Sequence, residues 1–405
     1  MSEAYIIDGI RTPIGKFGGM LSQVRADDLA ALAIRNILER NPSIDASRID
    51  DIIFGCANQA GEDNRNVARM ALLLAGIPSS VPGETVNRLC ASGMSAVIHA
   101  ARAVRLNEGD LFIAGGMEHM TRAPYVVSKS ETAFSRTAEM YDTSIGWRFV
   151  NPRMKEIFGI DSMGETAENV AEMFKINRED QDLFAYQSQI KAKEARDSGR
   201  FAKEIMPVEI PQRKAGTTKF EHDEFIRPDT TVEVLAKLKP AFRKEGTVTA
   251  GNSSGINDGA CAMLIGSKSA IKDFDLRPKA KIVSSAVVGV EPRVMGIGPV
   301  EATKKVLEQT GLKIQQMDLI ELNEAFAAQS LACIRELGLS DIDPRINPNG
   351  GAIALGHPLG MSGARLLTTA MVELHERTVQ YALCTMCVGV GQGMATIIER
   401  VDSIN

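Results

Sequence analysis

The feature that most constrains the fold of this chain is an internal repeat with an offset of 267 residues. The strand-like segment 51–58 has a counterpart in 318–325, and the triplet Gly93-Met94-Ser95 recurs as Gly360-Met361-Ser362. In both pairs the second member lies 267 positions after the first. One matching triplet can arise by chance, but a shared offset with the same order of elements indicates a duplicated unit.

Each copy contains strands that alternate with helices. The apolar spacing of an amphipathic helix is present over 28–40 and 96–104 in the first copy, and over 300–309 and 364–374 in the second. Short apolar runs that are typical of buried strands lie between these segments. The alternation predicts an α/β fold built from two βαβ-type halves.

A polar, charged insertion separates the two halves. It covers residues 121–250 and contains a further amphipathic helical pattern over 178–197. We expect the N-terminal half to consist of 1–120 plus 251–274, and the C-terminal half to cover 275–405. Insertions of this kind commonly provide a lid or a ligand-binding face.

The composition excludes several classes of function. Of 405 residues, 44% are hydrophobic and 24% are charged, which is typical of a globular protein and not of a disordered chain or a fibre. The net charge of −5 argues against a nucleic-acid partner. We find neither a secretory signal pattern nor an apolar stretch long enough for a membrane span. We therefore expect a cytoplasmic protein without nucleic-acid or membrane partners.

The repeat pairs a cysteine with a histidine. Cys90 and His357 are separated by the same 267 positions, so they occupy equivalent places at the starts of equivalent helices, and Asn323 likewise corresponds to Cys56. A pseudo-two-fold axis would bring both helix N-termini toward the centre of the molecule. There, unpaired N–H groups stabilise a thiolate. A buried structural role is the ordinary expectation for either residue alone, but the correspondence favours a reactive pair.

A second pair of cysteines requires a separate interpretation. Cys384 and Cys387 have the C-x-x-C spacing of redox dithiols and zinc sites, but no second C-x-x-C is present, and the strand-like position does not suit a thioredoxin-type motif. The more specific alternative to a redox or zinc site is a catalytic role for one of these thiols. The glycine-rich run 389–393 lacks dinucleotide-binding spacing, so we expect it to present N–H groups near a substrate oxygen.

Five motifs resemble those of the thiolases, and the resemblance extends over the whole chain. They are Asn87-Arg-Leu-Cys-Ala-Ser-Gly93, Val248-Thr-Ala-Gly-Asn-Ser-Ser-Gly-Ile-Asn-Asp-Gly259, Asn323-Glu-Ala-Phe326, Gly356-His-Pro-Leu-Gly360 and Cys387-Val-Gly-Val-Gly-Gln-Gly393. The resemblance implies a duplicated five-layer α/β/α/β/α fold with an inserted loop domain, which agrees with the repeat. It also implies an acyltransferase that uses coenzyme A (CoA) as co-substrate, holds no prosthetic group or metal, and forms a dimer of dimers.

The resemblance also assigns roles to individual residues of these motifs. Cys90 would form the acyl-enzyme, and His357 would activate it. Cys387 would be the acid and base at the substrate α-carbon, while Asn323 would hold a catalytic water. The backbone N–H groups of Cys90 and Gly389 would bind the oxyanion of the acyl-transfer step.

CoA is anionic, so a globally acidic protein needs a locally basic surface to bind it. The insertion offers four basic residues, namely Arg227, Lys237, Lys239 and Arg243. The resemblance implies that Arg227 contacts the adenine or the phosphates and that the pantetheine lies near Ser254. It also places Met163 in the loop of the substrate pocket. The ordinary alternative is that two or more of the four charges are simply solvated.

Departures from the general motifs indicate the substrate. Acetoacetyl-type thiolases usually show His-Met-Gly where this chain has Ser162-Met163-Gly164, and segments 55–69 and 145–149 most resemble thiolases of aromatic catabolism that cleave 3-oxoadipyl-CoA to succinyl-CoA and acetyl-CoA. That substrate ends in a carboxylate, which needs a partner when it is desolvated. We expect Arg148 to be this partner. The alternative is a surface arginine that packs on Trp147.

Other functions remain open at this point. The nearest is a thiolase that acts on acetoacetyl-CoA or on 3-oxoacyl-CoA substrates in general. A thiolase-fold protein that only binds acyl-CoA is disfavoured, because Cys90, Asn323 and His357 are retained together with Cys387. A decarboxylating condensing enzyme generally lacks the second cysteine. The last alternative is a redox or zinc protein that uses Cys384 and Cys387.

Overall fold

The computed structural model describes residues 2–211 and 216–403. Within these ranges the strands are β1 (Tyr5–Arg11), β2 (Gly15–Lys16), β3 (Asp51–Gly55), β4 (Gly83–Val86), β5 (Leu111–His119), β6 (Tyr125–Val127), β7 (Met140–Asp142), β8 (Val208–Pro211), β9 (Thr217–Phe220), β10 (Asn257–Gly266), β11 (Ala280–Gly289), β12 (Leu319–Leu322), β13 (Tyr381–Val388) and β14 (Gln392–Arg400). The α-helices are α1 (Ala26–Glu39), α2 (Val67–Leu74), α3 (Ser92–Leu106), α4 (Pro152–Phe158), α5 (Met163–Met173), α6 (Arg178–Asp197), α7 (Val232–Ala236), α8 (Lys268–Asp273), α9 (Gly298–Thr310), α10 (Ala327–Glu336), α11 (Ala352–Leu355) and α12 (Leu359–Glu376). None of the described helices is both long and apolar enough to cross a membrane.

The two copies of the repeat form equivalent parts of one large sheet. Its strand order is β12-β13-β14-β11-β1-β10-β5-β3-β4, and β2 pairs with β10. The copies meet where β1 and β11 pair antiparallel, with Tyr5 opposite Lys281 and Ile6 opposite Ala280. Outward from this junction, β10, β5 and β3 on one side correspond to β14, β13 and β12 on the other. The outer pairs β3/β5 and β12/β13 are parallel, as expected for strands joined through helices.

Helices cover the outer faces of the sheet, and two further helices lie between its N-terminal and C-terminal halves. The buried side chains of α1 and α2 pack on the N-terminal strands, and those of α9 and α10 pack on the C-terminal strands. Between them, α3 and α12 share one apolar cluster with strands of both halves. The resulting order is the predicted five-layer α/β/α/β/α arrangement. Nearly every residue of α12 is buried, because this helix contacts both halves.

Close contact in the central layer depends on glycine. A Cβ at Gly93 would lie 2.5 Å from the carbonyl oxygen of Gly360, and a Cβ at Gly360 would lie 2.1 Å from that of Met117. Because these neighbours are backbone atoms, only glycine permits the approach. The triplets that reveal the repeat are therefore the points where α3, α12 and β5 touch. Cys90 and His357 directly precede these helix N-termini and so lie at the centre of the molecule.

The insertion lies between β5 and β10. Helix α6 has the predicted bounds of 178–197, and two small antiparallel pairs, β6/β7 and β8/β9, lie outside the main sheet. A buried ion-pair network joins the insertion to the body, since the guanidinium of Arg11 in β1 contacts Glu204 at 2.8 Å and Asp223 at 2.7 Å. Separating the insertion from β1 would leave buried charges without partners, so this network holds the two together.

Candidate active site

Cys90 lies at the wall of a cavity of about 510 Å³. Residues from both halves and from the insertion line this cavity, so it exists only in the folded chain. Its walls are mainly apolar, and the charged side chains among its lining residues are Glu118 and Arg148. An apolar cavity with a few polar groups is the usual form of a small-molecule site.

Cys90 occupies a tight turn between β4 and α3. The preceding residue, Leu89, has φ of 45°, a left-handed conformation that strains a branched side chain. The backbone N–H groups of Gly389 and of Cys90 itself lie against the sulfur and lower its pKa, but burial has the larger effect and raises the pKa of Cys90 to about 11. The N–H groups expected from the sequence are therefore present, yet they do not ionise the thiol by themselves. Cys90 needs a base.

His357 is held in the state that a general base requires. The hydroxyl of Ser362 donates to the carbonyl of Pro358 at 2.8 Å, so its oxygen accepts a hydrogen bond from Nδ1 of His357 at 2.7 Å. The proton is thereby kept on Nδ1 and the lone pair on Nε2. Burial and the nearby cation of Arg365 lower the pKa of His357 to about 3, so the imidazole is neutral at ordinary pH. Among the described residues, the Nε2 lone pair faces only the long contact from Nδ2 of Asn323 at 3.4 Å, so the neutral imidazole can take a proton.

Asn323 lies beside the imidazole of His357. Its Nδ2 lies 3.4 Å from Nε2 of His357, and its Oδ1 is buried without a hydrogen-bond partner among the described residues. A buried amide oxygen in that state costs about 1–3 kcal/mol and is suited to receive a donor such as water. The structure thus brings together two residues that are 34 positions apart.

Cys387 lies near the end of β13. It belongs to an apolar cluster that includes Ala325 and Phe326 and that Met163 packs against, and burial raises the pKa of its thiol well above the usual range. The neighbouring thiols of Cys90 and Cys333 add to the same rise in pKa, so Cys387 lies close enough to Cys90 for the ionisation of one to disfavour that of the other.

Cys384 does not share a site with its C-x-x-C partner. Its sulfur lies 3.6 Å from the carbonyl of Leu366 in the central layer, whereas Cys387 belongs to a different apolar cluster. All six cysteines are free thiols. The arrangement favours a packing role for Cys384 and gives no support to a joint redox or zinc site.

Glu118 is a residue of the site that sequence reasoning missed. Its Oε2 accepts hydrogen bonds from the N–H groups of Ala57 at 3.0 Å and Gly360 at 2.8 Å, and its Oε1 accepts one from Asn58 at 3.0 Å. Burial raises the pKa of Glu118 to about 7, although these N–H groups lower it. The carboxyl group ties the loop after β3 to the start of α12. In the sequence, only its position near the end of a predicted strand, after two glycines, indicated a functional role.

Cys56 and Asp63 lie beside Glu118. Within the described ranges these three form the only Cys, His, Asp or Glu cluster compact enough to hold a metal ion. The oxygens of Asp63 already accept hydrogen bonds from the N–H groups of Gln59 and Gly61. Because the oxygens of both acids are engaged by the backbone, the cluster fits a loop-ordering role better than metal coordination.

The residues expected to bind CoA lie at two separate cavities and in the loop beside one of them. Arg227 stands over the ring of Phe225 at 5.3 Å and lines a second cavity of about 270 Å³, which also includes Gly251. Three positions further along, the N–H of Ser254 donates to the carbonyl of Ala325 at 2.9 Å. This loop therefore leads from the Arg227 cavity to the segment that carries Asn323, while Met163 lines the Cys90 cavity.

The other basic residues of the insertion are less clearly connected to a site. Arg243 pairs with Glu172 and donates to Asn169 at 2.7 Å, and Lys237 and Lys239 are exposed. These three side chains do not line the cavities that contain Arg227 or Cys90.

Two further positioning residues were also missed. Ser362 was recognised only as part of a repeated triplet, and Asn257 only as part of a longer motif. In the structure, Oδ1 of Asn257 accepts a hydrogen bond from the N–H of His357 at 3.0 Å. Ser362 could have been suspected from the sequence, because it is a polar residue only five positions after the candidate base His357.

Known proteins resemble this chain over its whole length. Residues 4–269 match the family model described as "Thiolase, N-terminal domain", and residues 276–400 match "Thiolase, C-terminal domain". The chain is 63% identical over 401 residues to the 3-oxoadipyl-CoA/3-oxo-5,6-dehydrosuberyl-CoA thiolase of Escherichia coli strain K12, covering 99% of this chain and 100% of that protein. It is 60% identical to a beta-ketoadipyl-CoA thiolase of Acinetobacter baylyi, with the same coverage. The crystal structure of the Bacillus anthracis acetyl-CoA acetyltransferase superposes with a TM-score of 0.92 at 39% identity, covering 99% of both chains.

Proposed function

Because this chain belongs to the thiolase family and is thus an acyltransferase, we propose that it cleaves 3-oxoadipyl-CoA with CoA to give succinyl-CoA and acetyl-CoA. The observation that carries the choice of substrate is the full-length identity of 63% to a protein named for 3-oxoadipyl-CoA. The apolar cavity beside Cys90, with its single cation, Arg148, supports the same choice. The reaction belongs to the breakdown of aromatic compounds through 3-oxoadipate.

In the first half-reaction, Nε2 of His357 takes the proton of the Cys90 thiol. The thiolate attacks C3 of the substrate, and the bond between C2 and C3 breaks. The electron pair passes to C2 as the enolate of acetyl-CoA, which Cys387 protonates. The His357 N–H and a water on Oδ1 of Asn323 stabilise the developing enolate oxygen. The products of this step are acetyl-CoA and a succinyl thioester on Cys90.

In the second half-reaction, free CoA replaces acetyl-CoA. The Cys387 thiolate takes the proton of the CoA thiol, whose sulfur then attacks the acyl carbon. The N–H groups of Cys90 and Gly389 bind the tetrahedral oxyanion, and their contact with the Cys90 sulfur supports this role. The Cys90 thiolate leaves and regains its proton from His357, so that every proton is returned.

In this proposal the CoA moiety extends from the Arg227 cavity to the Cys90 cavity. Arg227 and the ring of Phe225 form one end, where the aromatic face and the guanidinium suit an adenine and a phosphate. The pantetheine passes Ser254 toward Met163 at the Cys90 cavity. CoA is a co-substrate in this scheme.

The family resemblance further implies a cytoplasmic enzyme that assembles as a dimer of dimers. Size-exclusion chromatography with light scattering measures the mass of the assembly, and about four times the mass of 43.8 kDa is expected.

The decisive experiment compares kcat/KM for 3-oxoadipyl-CoA, acetoacetyl-CoA and a longer neutral 3-oxoacyl-CoA. We expect 3-oxoadipyl-CoA to be the best substrate, and a clear preference for either neutral substrate would refute the assignment. Cys90→Ser is expected to abolish CoA-dependent loss of the 3-oxoacyl-CoA absorbance, whereas Cys384→Ala, which removes a buried thiol outside the cavity, retains it. Near-normal activity of Cys90→Ser would exclude the acyl-enzyme.

A second candidate is a thiolase for acetoacetyl-CoA or general 3-oxoacyl-CoA substrates. The close superposition on an acetyl-CoA acetyltransferase favours it. The same comparison of substrates separates the two, since a short-chain enzyme would prefer acetoacetyl-CoA.

A further inference from the structure

The cavity beside Cys90 contains a cation that has no counter-ion. Arg148 is partly buried in the cavity wall, and Nη2 donates to Oδ1 of Asn58 at 3.2 Å. Among the described residues no carboxylate lies within ion-pair distance of its guanidinium. The described arginines that stand over aromatic rings are Arg11, Arg48 and Arg227, so stacking of the guanidinium over the Trp147 ring does not account for the position of Arg148.

A chain of hydrogen bonds fixes Asn58 in the orientation that receives Arg148. The hydroxyl of Thr143 donates to the carbonyl of Pro124 at 2.7 Å, so its oxygen accepts from Nδ2 of Asn58 at 3.3 Å. Oδ1 of Asn58 is thereby turned toward Arg148. The N–H of Asn58 is held by Glu118, which also binds the start of α12. The position of the guanidinium is therefore coupled to the segment that carries His357.

The partner of Arg148 within the protein is a neutral amide, which leaves its positive charge uncompensated. The neighbouring walls are apolar and include Trp147, Ile145 and Met120. In such surroundings an anion gains more from a guanidinium than it does in water. Glu118 is the other charged group of the cavity, and both of its oxygens are already occupied by backbone N–H groups.

We propose that Arg148, oriented by Asn58, binds the distal carboxylate of a dicarboxylic 3-oxoacyl chain and thereby selects such chains over neutral ones. This inference rests on the proposed thiolysis at Cys90. It adds a binding group for the far end of the acyl chain, with Arg148 as the specificity determinant and Asn58 as a positioning residue.

The test uses two substrates that differ only at the far end, 3-oxoadipyl-CoA and 3-oxohexanoyl-CoA, whose methyl group replaces the carboxylate. In Arg148→Met we expect kcat/KM for 3-oxoadipyl-CoA to fall about 10- to 100-fold, as for the loss of a hydrogen-bonded charge pair. The value for 3-oxohexanoyl-CoA should change less than about threefold, because no charge is lost from that complex. Arg153→Met, on the exposed surface of α4, is the matched control and should leave both values unchanged.

Asn58→Asp is a second variant with a sharper expectation. Its carboxylate retains the acceptor for Arg148 and neutralises the cation, so the guanidinium stays in place and no longer attracts an anion. We expect the preference for 3-oxoadipyl-CoA to fall about 10-fold or more while turnover of 3-oxohexanoyl-CoA is kept. A residue with only a structural role would lower both activities together.

The outcomes distinguish this inference from the proposed function. If the unmodified enzyme fails to cleave 3-oxoadipyl-CoA, the proposed function is wrong. If it prefers 3-oxoadipyl-CoA and both variants keep that preference, only the role of Arg148 is wrong. An equal loss for both substrates, together with a raised KM for CoA, would overturn the inference in favour of a contact to CoA. Should Arg148→Met fail to fold, Asn58→Asp by itself decides.

Discussion

Ser362 lies behind His357, and its removal tests the role of the imidazole as a base. The Ser362 hydroxyl accepts the Nδ1 proton of His357 at 2.7 Å, and it is not among the lining residues of the Cys90 cavity. In Ser362→Ala the Nδ1–H loses this partner inside the protein. We therefore expect a kinetic defect without a loss of substrate binding.

The magnitude follows from the cost of an unmatched buried donor, which is about 1–3 kcal/mol. His357 avoids this cost when the proton moves to Nε2, and in that tautomer it no longer accepts the Cys90 proton. A penalty of 1.4 kcal/mol corresponds to about a tenfold change in the ratio of tautomers at 25 °C. We therefore expect kcat to fall about 10- to 100-fold with KM within about twofold.

Steady-state thiolysis at saturating CoA measures the effect. The matched control is Ser330→Ala, because Ser330 is also a buried helical serine but its hydroxyl has no hydrogen-bond partner in the described chain. Its removal should leave kcat unchanged and stability equal or higher. A kcat for Ser362→Ala within twofold of the unmodified enzyme would refute the tautomer argument. A raised KM with unchanged kcat in Ser362→Ala would also refute it.

Two other properties can be tested in the same way. Gly360→Ala should lower the free energy of unfolding by about 3 kcal/mol or more, because its Cβ would meet the Met117 carbonyl oxygen at 2.1 Å; urea titration checks this against Gly289→Ala, whose Cβ has no neighbour nearer than 3.9 Å. His357 should make stability fall with decreasing pH, since the unfolded chain takes up a proton below its ordinary pKa of 6.5, whereas burial lowers the pKa in the folded chain to about 3. Between pH 7.5 and 5.5 this amounts to about 1.4 kcal/mol. His357→Gln should lose less stability than the unmodified protein over that interval, and an identical loss in both would contradict the burial argument.

Much of the fold could be predicted because the repeat is written into short local patterns. Helix α6 has its predicted bounds, and α1, α9 and α12 differ from their predicted ranges by a few residues at the ends. Apolar periodicity determines such elements locally. The matching glycine triplets revealed the repeat, but only the structure shows that Gly93 and Gly360 allow the close contact in the central layer.

For the candidate site, the sequence shows which residues are present but not their ionisation properties. Cys90, His357, Asn323 and Cys387 could be proposed from the sequence, because each is a chemically reactive or polar residue type within a distinctive motif. The pKa of Cys90 could not be read in the same way, because burial outweighs the N–H groups and no local pattern reports the degree of burial.

The sequence by itself determined the duplicated α/β architecture and the family, and it pointed to the candidate reactive residues. Only the tertiary structure decided which residues hold them in place. Glu118 reaches Gly360 across 242 positions, and Asn58 reaches Arg148 across 90. The physical reason is that periodicity and motifs record interactions between near neighbours in the chain. A hydrogen bond or a cavity joins groups whose proximity arises only when the layers pack.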